Sequence, residues 1–117
     1  MLKIAVLIFA IGALGGLILA SSVLRGRLAP WALSIVHMLL GATGLVLTAL
    51  VVLGGSDAGK GMVPIALLIL VVAALGGFYL ASIHVKKEVA SKGVVFTHAG
   101  IAVIGFLLLL AATFHLV

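Results

Sequence analysis

The sequence predicts an all-α integral membrane protein, a four-helix bundle made of two tandem repeated transmembrane hairpins. Two observations predict this fold class. Hydrophobic residues make up 66% of the 117 residues and charged residues only 8%, a composition that soluble domains do not have. The chain also contains an internal repeat, because the segment ALGGLILAS at residues 13–21 returns as ALGGFYLAS at residues 74–82.

The apolar residues form four long stretches, each longer than the ~20 residues that a helix needs to cross a bilayer. These stretches are Leu2–Leu24, Pro30–Leu53, Met62–Val85 and Gly93–Val117. A spanning barrel is excluded because its strands alternate apolar and polar residues and at least about eight of them are required. We therefore expect four transmembrane helices in a single domain, residues 1–117.

The first stretch also resembles a secretory signal peptide, since Lys3 precedes an apolar run that ends in small residues. The repeat argues against this interpretation. Residues 4–21 align with residues 65–82 at a constant offset of 61, and 11 of the 18 aligned positions are identical. A segment with such an internal copy is expected to be a transmembrane helix.

The same offset of 61 extends into the second helix of each half, where His37 aligns with His98. Repeat 1 is assigned to residues 1–56 and repeat 2 to residues 62–117, with the polar segment 54–61 as a linker. Each repeat contains two crossings, so both repeats enter the membrane in the same sense. The two halves should then be related by an axis along the membrane normal.

Basic residues predict the orientation in the membrane. The connections inside the two hairpins carry five of the seven Lys and Arg residues, and the opposite side has only Lys3 and Lys60. By the positive-inside rule, we expect a multi-pass protein of the inner membrane with cytoplasmic hairpin connections and both termini outside. The net charge of +5 is then a topology signal, and no nucleic-acid partner is expected.

The two aligned histidines form the candidate site, because each lies about six residues inside its helix, roughly 9 Å below the cytoplasmic end. Two imidazoles facing each other fit the axial ligands of one b-type haem, whose macrocycle needs glycine-sized gaps and whose propionates need cations. The absence of cysteine excludes a thioether-linked haem. The predicted site comprises the ligands His37 and His98, the clearance residues Gly41, Gly44, Gly100 and Gly105, and the cations Arg25, Arg27, Lys86, Lys87 and Lys92.

Two other roles for these histidines stay open. They could hydrogen-bond a neighbouring helix, each other or Thr97 and so stabilise the bundle without a cofactor, or they could handle protons. His84 is expected to extend towards the aqueous interface beside Lys86 and Lys87, or to hydrogen-bond a propionate. The membrane interfaces are the expected location of His115, Trp31 and Tyr79.

No catalytic residues are predicted, because no serine, histidine and carboxylate can meet at one depth. A proton-coupled exporter would need a carboxylate inside the membrane, but Asp57 and Glu88 both lie in connections. A channel would need rings of polar groups along a pore, and the helices offer none. An electron-transfer or structural membrane protein is therefore expected in preference to an enzyme.

Two segments, WALSIVHMLLGATGLVL at 31–47 and FTHAGIAVIGFLLLL at 96–110, resemble helices of small four-helix proteins of the bacterial inner membrane. The layout of two histidines in a glycine-rich bundle is similar to that of membrane b-type cytochromes. This resemblance implies electron transfer with a quinone or a partner protein. Many such cytochromes hold two haems through four ligands, whereas this chain can place two histidines opposite each other. The alternative function is a cofactor-free accessory or scaffold subunit, within a larger membrane complex or a homo-oligomer.

Overall fold

The computed structural model describes residues 1–117 and is entirely helical. Its four long helices are α1 (Leu2–Leu24), α2 (Trp31–Leu53), α3 (Val63–Val85) and α4 (Lys92–Thr113), and a short 3₁₀ turn covers Asp57–Gly59. At 1.5 Å per residue, a helix of 22 or 23 residues is about 33–35 Å long, enough to cross a hydrocarbon core of roughly 30 Å. All four helices are long and apolar enough to span a membrane, so the chain is a multi-pass membrane protein.

The helices pack as two hairpins. The strongest packing is between α1 and α2 and between α3 and α4, and the hairpins meet along α2–α3 and α1–α4. Adding the offset of 61 to the bounds of α1 gives residues 63 and 85, which are the bounds of α3, and adding it to the first residue of α2 gives residue 92, the start of α4. The predicted bundle of two repeated hairpins is confirmed.

The bundle has two chemically different ends. One end, named here the loop end, holds the two six-residue hairpin connections, residues 25–30 and 86–91. The other, named the terminal end, holds both chain termini and the linker with its 3₁₀ turn. The molecule is 44 Å long and 21 × 19 Å across, and its length matches a bilayer of about 40–45 Å measured with its headgroups.

Both helices that enter the loop end stop in the same way. Gly26 and Lys87, which are 61 residues apart, take left-handed conformations with φ of 68° and 59°. The next N–H in each case reaches back across the last turn, from Arg27 to the Ser22 carbonyl at 2.8 Å and from Glu88 to the Ile83 carbonyl at 3.3 Å. Such bonds satisfy carbonyls that a helix end leaves free, and the shared motif gives the two connections one shape.

Close packing is concentrated towards the terminal end. The buried apolar cluster there is formed by Leu2, Val6, Val63, Ala66, Leu70 and Leu109. In the half of the bundle nearer the loop end, the buried residues are Ser22, Ala29, Ser34 and Val95. Side chains are therefore packed less densely in the half of the bundle that contains His37 and His98.

Large apolar side chains point outward along every helix, such as Leu17 and Leu68, which are 66% and 67% exposed. Lipid tails are as apolar as these side chains, so helices in a bilayer gain contact energy from close backbone approach. The small residues of α1 provide that approach. A Cβ atom added at Gly12 would lie 3.4 Å from the Cβ of Leu40 on α2, which shows how closely the two helices pack.

Candidate functional site

His37 and His98 occupy equivalent places in the two hairpins. Each is six residues beyond the first residue of its helix, Trp31 in α2 and Lys92 in α4, and each side chain is half-buried. This spacing puts both imidazoles roughly 9 Å from the loop end. The two histidines are thus at matching depth, in the less densely packed half of the bundle.

Both imidazoles make the same hydrogen bond to the backbone of the neighbouring helix. The Nδ1 atom of His37 lies 2.8 Å from the Gly12 carbonyl oxygen on α1, and the Nδ1 atom of His98 lies 2.8 Å from the Ala73 carbonyl oxygen on α3. A carbonyl oxygen only accepts, so Nδ1–H donates in each case. This assigns the tautomer of the neutral ring and leaves each Nε2 with its lone pair.

The two rings approach each other without bonding directly. Their centroids are 6.3 Å apart, their planes are nearly perpendicular at 86°, and no hydrogen bond joins them. Thr97 is not a partner either, because its hydroxyl donates to the Gly93 carbonyl within α4 at 2.8 Å. The bundle therefore contains two imidazoles with free Nε2 atoms, and both are held through Nδ1.

Glycines of the neighbouring helix make room for each imidazole. A Cβ atom added at Gly16 would lie 2.9 Å from Cε1 of His37, and one added at Gly77 would lie 3.2 Å from Cε1 of His98. Gly16 and Gly77 are themselves related by the offset of 61. The repeated glycines are thus places where an imidazole lies against helix backbone, and a methyl group there would displace the ring.

The four glycines predicted to give a cofactor clearance have different surroundings. A Cβ at Gly44 would meet the ring of Phe9 at 2.7 Å, and one at Gly105 would meet Leu70 at 2.9 Å, so both glycines accommodate a side chain of the neighbouring helix. Gly41, one turn beyond His37 on the same face, has open space beside it. The space beside Gly100 is also open, but this glycine is exposed and lies two residues after His98, on the opposite side of α4.

The five predicted cations all lie at or next to the loop end, and all are exposed. They are Arg25, Arg27, Lys86, Lys87 and Lys92. None of them pairs with a carboxylate, since the one ion pair of the chain joins Lys60 to Asp57 at the terminal end, at 3.0 Å. No group of three or more histidine and carboxylate side chains gathers anywhere in the bundle, so the potential metal ligands at this site are the two histidines.

His84 lies differently from the expectation that it would extend towards the aqueous interface. Its Nε2–H donates to the Ala29 carbonyl at 2.7 Å, and its Nδ1 accepts from the Ser34 hydroxyl at 2.6 Å. The ring also packs edge-on against Trp31, with centroids 5.0 Å apart. His84 of α3 therefore links repeat 2 to repeat 1, and both of its nitrogens are already bonded within the protein.

Sequence reasoning missed this link although the repeat contains a signal for it. Subtracting 61 from His84 gives Val23, and adding 61 to Ser34 gives Val95. His84 and Ser34 are thus polar where the other repeat has valine. Both lie at the loop end, on the consecutive helices α3 and α2. His115, by contrast, is exposed at the terminal end, and Tyr79 is 58% exposed on α3.

Comparisons with models of protein families, with curated proteins and with solved structures found no match to this chain. The class of protein therefore follows from the fold itself. It is a multi-pass membrane protein of two repeated helical hairpins. Any narrower function has to be argued from the pair of histidines.

Proposed function

We propose that this protein binds one b-type haem between His37 and His98 and serves in electron transfer in the inner membrane. The observation that carries the proposal is the repeated hydrogen bond from Nδ1–H to a backbone carbonyl, at 2.8 Å in both hairpins. Histidines that bind metals characteristically donate their other ring N–H to a carbonyl or carboxylate, which fixes the ring and leaves Nε2 to bind the metal.

The separation of the two rings supports the same proposal. If both Nε2 atoms held one metal, the roughly 2 Å usual for imidazole–metal bonds would require ring centroids about 6 Å apart. The observed separation is 6.3 Å. A direct hydrogen bond between the rings would need their nitrogens about 3 Å apart, and no such bond is present.

The residues around His37 and His98 fit the proposed haem in part. Gly16 and Gly77 let the imidazoles lie against the neighbouring helices, and the gap beside Gly41 leaves room one turn beyond His37. The exposed cations at the loop end are suited to the propionates. The spaces over Gly44 and Gly105 are taken by Phe9 and Leu70, so these two glycines would serve the packing that supports the site.

Haem b held by His37 and His98 would supply one-electron transfer. The residues of this chain would hold the iron ligands, fix their tautomer through Gly12 and Ala73, and surround the group with apolar side chains. No catalytic residue is required, in keeping with a carrier in preference to an enzyme.

The proposal includes an orientation. Five of the seven Lys and Arg residues lie at or next to the loop end, so this end is assigned to the cytoplasm and both termini to the outside. The haem would then lie nearer the cytoplasmic face.

A second function, a cofactor-free accessory subunit of a membrane complex, is favoured by the same hydrogen bonds, since each fastens one helix to its neighbour.

A visible absorption spectrum separates the two functions. The protein, expressed with ample haem and purified, should carry one haem per chain and show a low-spin spectrum. Replacing His37 or His98 by alanine should abolish that spectrum, whereas His115→Ala, at the other end of the bundle, should leave it unchanged. Circular dichroism of each variant verifies that the helices still form. A wild-type protein without haem absorption would refute the haem proposal and favour the accessory subunit.

A further inference from the structure

The loop end carries a patch of positive charge that the protein itself does not neutralise. Five of the seven Lys and Arg side chains lie at or next to this end, and all five are exposed. The only carboxylate side chain at this end, that of Glu88, is exposed and pairs with none of them. Like charges without a counter-charge repel each other, so the patch favours an anion from outside the chain. Its members, named here the loop-end cations, are Arg25, Arg27, Lys86, Lys87 and Lys92.

The link between the two repeats brings cations of both hairpins into one patch. His84 of α3 donates to the carbonyl of Ala29, which belongs to the connection 25–30, at 2.7 Å. Arg27 lies two residues before Ala29, and Lys86 lies two residues after His84. The cations of the first connection and those that follow α3 are therefore neighbours across the interface between the hairpins, so that one anionic group can lie between them.

The depth of the patch in the membrane identifies which anions reach it. The bundle is 44 Å long, and a bilayer measured with its headgroups is about 40–45 Å thick. Because the hairpin connections are only six residues long, their cations lie at the depth of the phospholipid headgroups. Arg25 also turns back along α1, since its Nε–H donates to the Ser21 carbonyl at 3.2 Å. The anions present at this depth are the phosphates of the lipid headgroups.

Lys87 has a conformation that membrane topology alone does not require. Its φ is 59°, in the left-handed region, where a residue with a side chain is less stable than glycine. Repeat 1 has Gly26 at the equivalent position, with φ of 68°. The positive-inside rule asks only for cations in the connections, and a lysine at an unstrained neighbouring position would satisfy it equally. A cation is therefore kept at this point of the patch in spite of the backbone strain.

We propose that the loop-end cations bind the phosphate of an anionic phospholipid of the surrounding bilayer, in preference to a zwitterionic phospholipid. Clusters of roughly four to eight basic residues next to a membrane helix favour anionic headgroups in this way. The headgroup of phosphatidylcholine carries its own quaternary ammonium group, which the cations repel. The binding depends neither on the haem nor on the direction of the bundle, because it needs only the patch and a leaflet that contains the lipid.

The test counts the lipids that stay bound to the full-length protein. The protein is released from nanodiscs of equal parts phosphatidylglycerol and phosphatidylcholine, and native mass spectrometry gives the ratio of the two bound lipids. We expect phosphatidylglycerol to be enriched at least roughly 5-fold, the factor that corresponds to one cation near an anionic headgroup. His37→Ala, which removes a proposed haem ligand, should keep this enrichment, so that failure of the haem proposal is seen separately.

Lys87→Gly is the sharpest variant, because it copies Gly26 and removes a cation while relieving backbone strain. Its melting temperature should equal or exceed that of the wild type, whereas the enrichment should fall roughly 2- to 5-fold. Lys3→Gln, which removes one charge at the terminal end, is the matched control and should keep the enrichment. Equal binding of the two lipids by the wild type, an unchanged enrichment in Lys87→Gly or an equal loss in Lys3→Gln would overturn the proposal, as would displacement of the bound lipid by free glycerol phosphate.

Discussion

The hydrogen bond of each histidine to the neighbouring helix shows what a repeat preserves at the scale of single residues. The acceptor for His37 belongs to a glycine, and that for His98 to an alanine, Ala73. The bond is kept although the residue changes, because the acceptor is a backbone carbonyl. The sequence could therefore predict the two histidines and their depth, but not their partners, since carbonyl acceptors have no signature in the sequence.

An alanine at Gly16 is expected to be destabilising, because its Cβ would lie 2.9 Å from Cε1 of His37. The imidazole would have to move and lose its hydrogen bond to Gly12. Overpacking of this kind costs about 1–3 kcal/mol. Gly16→Ala should therefore lower the melting temperature of the detergent-solubilised protein and, if the haem is present, perturb its spectrum.

Other glycines beside the two imidazoles, one on α3 and one on α1, provide graded controls. Gly77→Ala, with a contact of 3.2 Å to His98, should have a smaller effect, because the ring has to move less. Gly15→Ala, whose nearest contacts to His37 and Leu33 are 3.9 Å, should be close to neutral. Equal melting temperatures for the variants at positions 15 and 16 would show that the imidazole is not held against α1 as described.

His84 shows where residue-level reasoning from sequence failed. Its neighbours in the chain, Lys86 and Lys87, predicted a side chain extended into the aqueous interface, but the side chain turns inward to Ser34 and Ala29. A half-buried imidazole next to lipid gains from partners for both nitrogens, and the other repeat provides both. Composition and local sequence do not contain this information, because the partners are 50 and 55 residues away.

At the scale of helices, the apolar stretches of the sequence predicted all four helices but misplaced the end of the fourth. The first three stretches agree with α1, α2 and α3 to within one residue at each end. The fourth was predicted to reach Val117, but α4 ends at Thr113, and His115 takes a left-handed conformation with φ of 59°. Hydropathy cannot mark this end, since the residues beyond it are still mostly apolar. The linker also contains a 3₁₀ turn that its polar composition did not indicate.

The two interfaces between the hairpins differ at the loop end. Along α2–α3, His84 and Ser34 form a polar link, whereas the equivalent positions on α1 and α4 are the valines Val23 and Val95. Polar side chains between membrane helices contribute modestly, on average about 0.6 kcal/mol where measured by double-mutant cycles. Their larger consequence is selectivity, since a bond at one interface fixes which helices face each other.

A double-mutant cycle on His84 and Ser34 tests this link. Each single change to valine leaves polar groups without a partner and should lower the free energy of unfolding by about 1–3 kcal/mol. The double variant His84→Val/Ser34→Val copies the apolar pair of the other interface, and it should be more stable than the sum of the single changes implies. The free energies are measured by unfolding in mixed detergent micelles.

The expected coupling between the two positions is about 0.5–1.5 kcal/mol. A matched cycle on Val23 and Val95, each changed to alanine, gives the background for two apolar positions at the other interface. Additive effects of His84→Val and Ser34→Val would mean that the 2.6 Å contact between their polar atoms contributes no stability.

For the whole molecule, the two ends differ in packing as well as in charge. The terminal end contains the buried apolar cluster, which includes Leu2, Val63 and Leu109, and the loop end contains most of the cations. A densely packed end can hold two hairpins together while fewer side chains are buried in the half that contains the histidines. This division of the bundle was not predictable from composition, because all four helices have similar apolar content.

The last prediction concerns the direction in which the bundle lies in the membrane. Reporter fusions placed after Val117 and within residues 54–61 should report the outer side, and fusions near Arg27 or Lys87 should report the cytoplasm. The physical reason is that basic residues near helix ends are retained on the cytoplasmic side. Neutralising Arg25, Arg27, Lys86 and Lys87 together should then give mixed orientations, whereas neutralising Lys3 and Lys60 should reinforce the wild-type one. A cytoplasmic reporter signal after Val117 in the wild-type protein would contradict the assignment. The histidines would then lie nearer the outer face of the membrane.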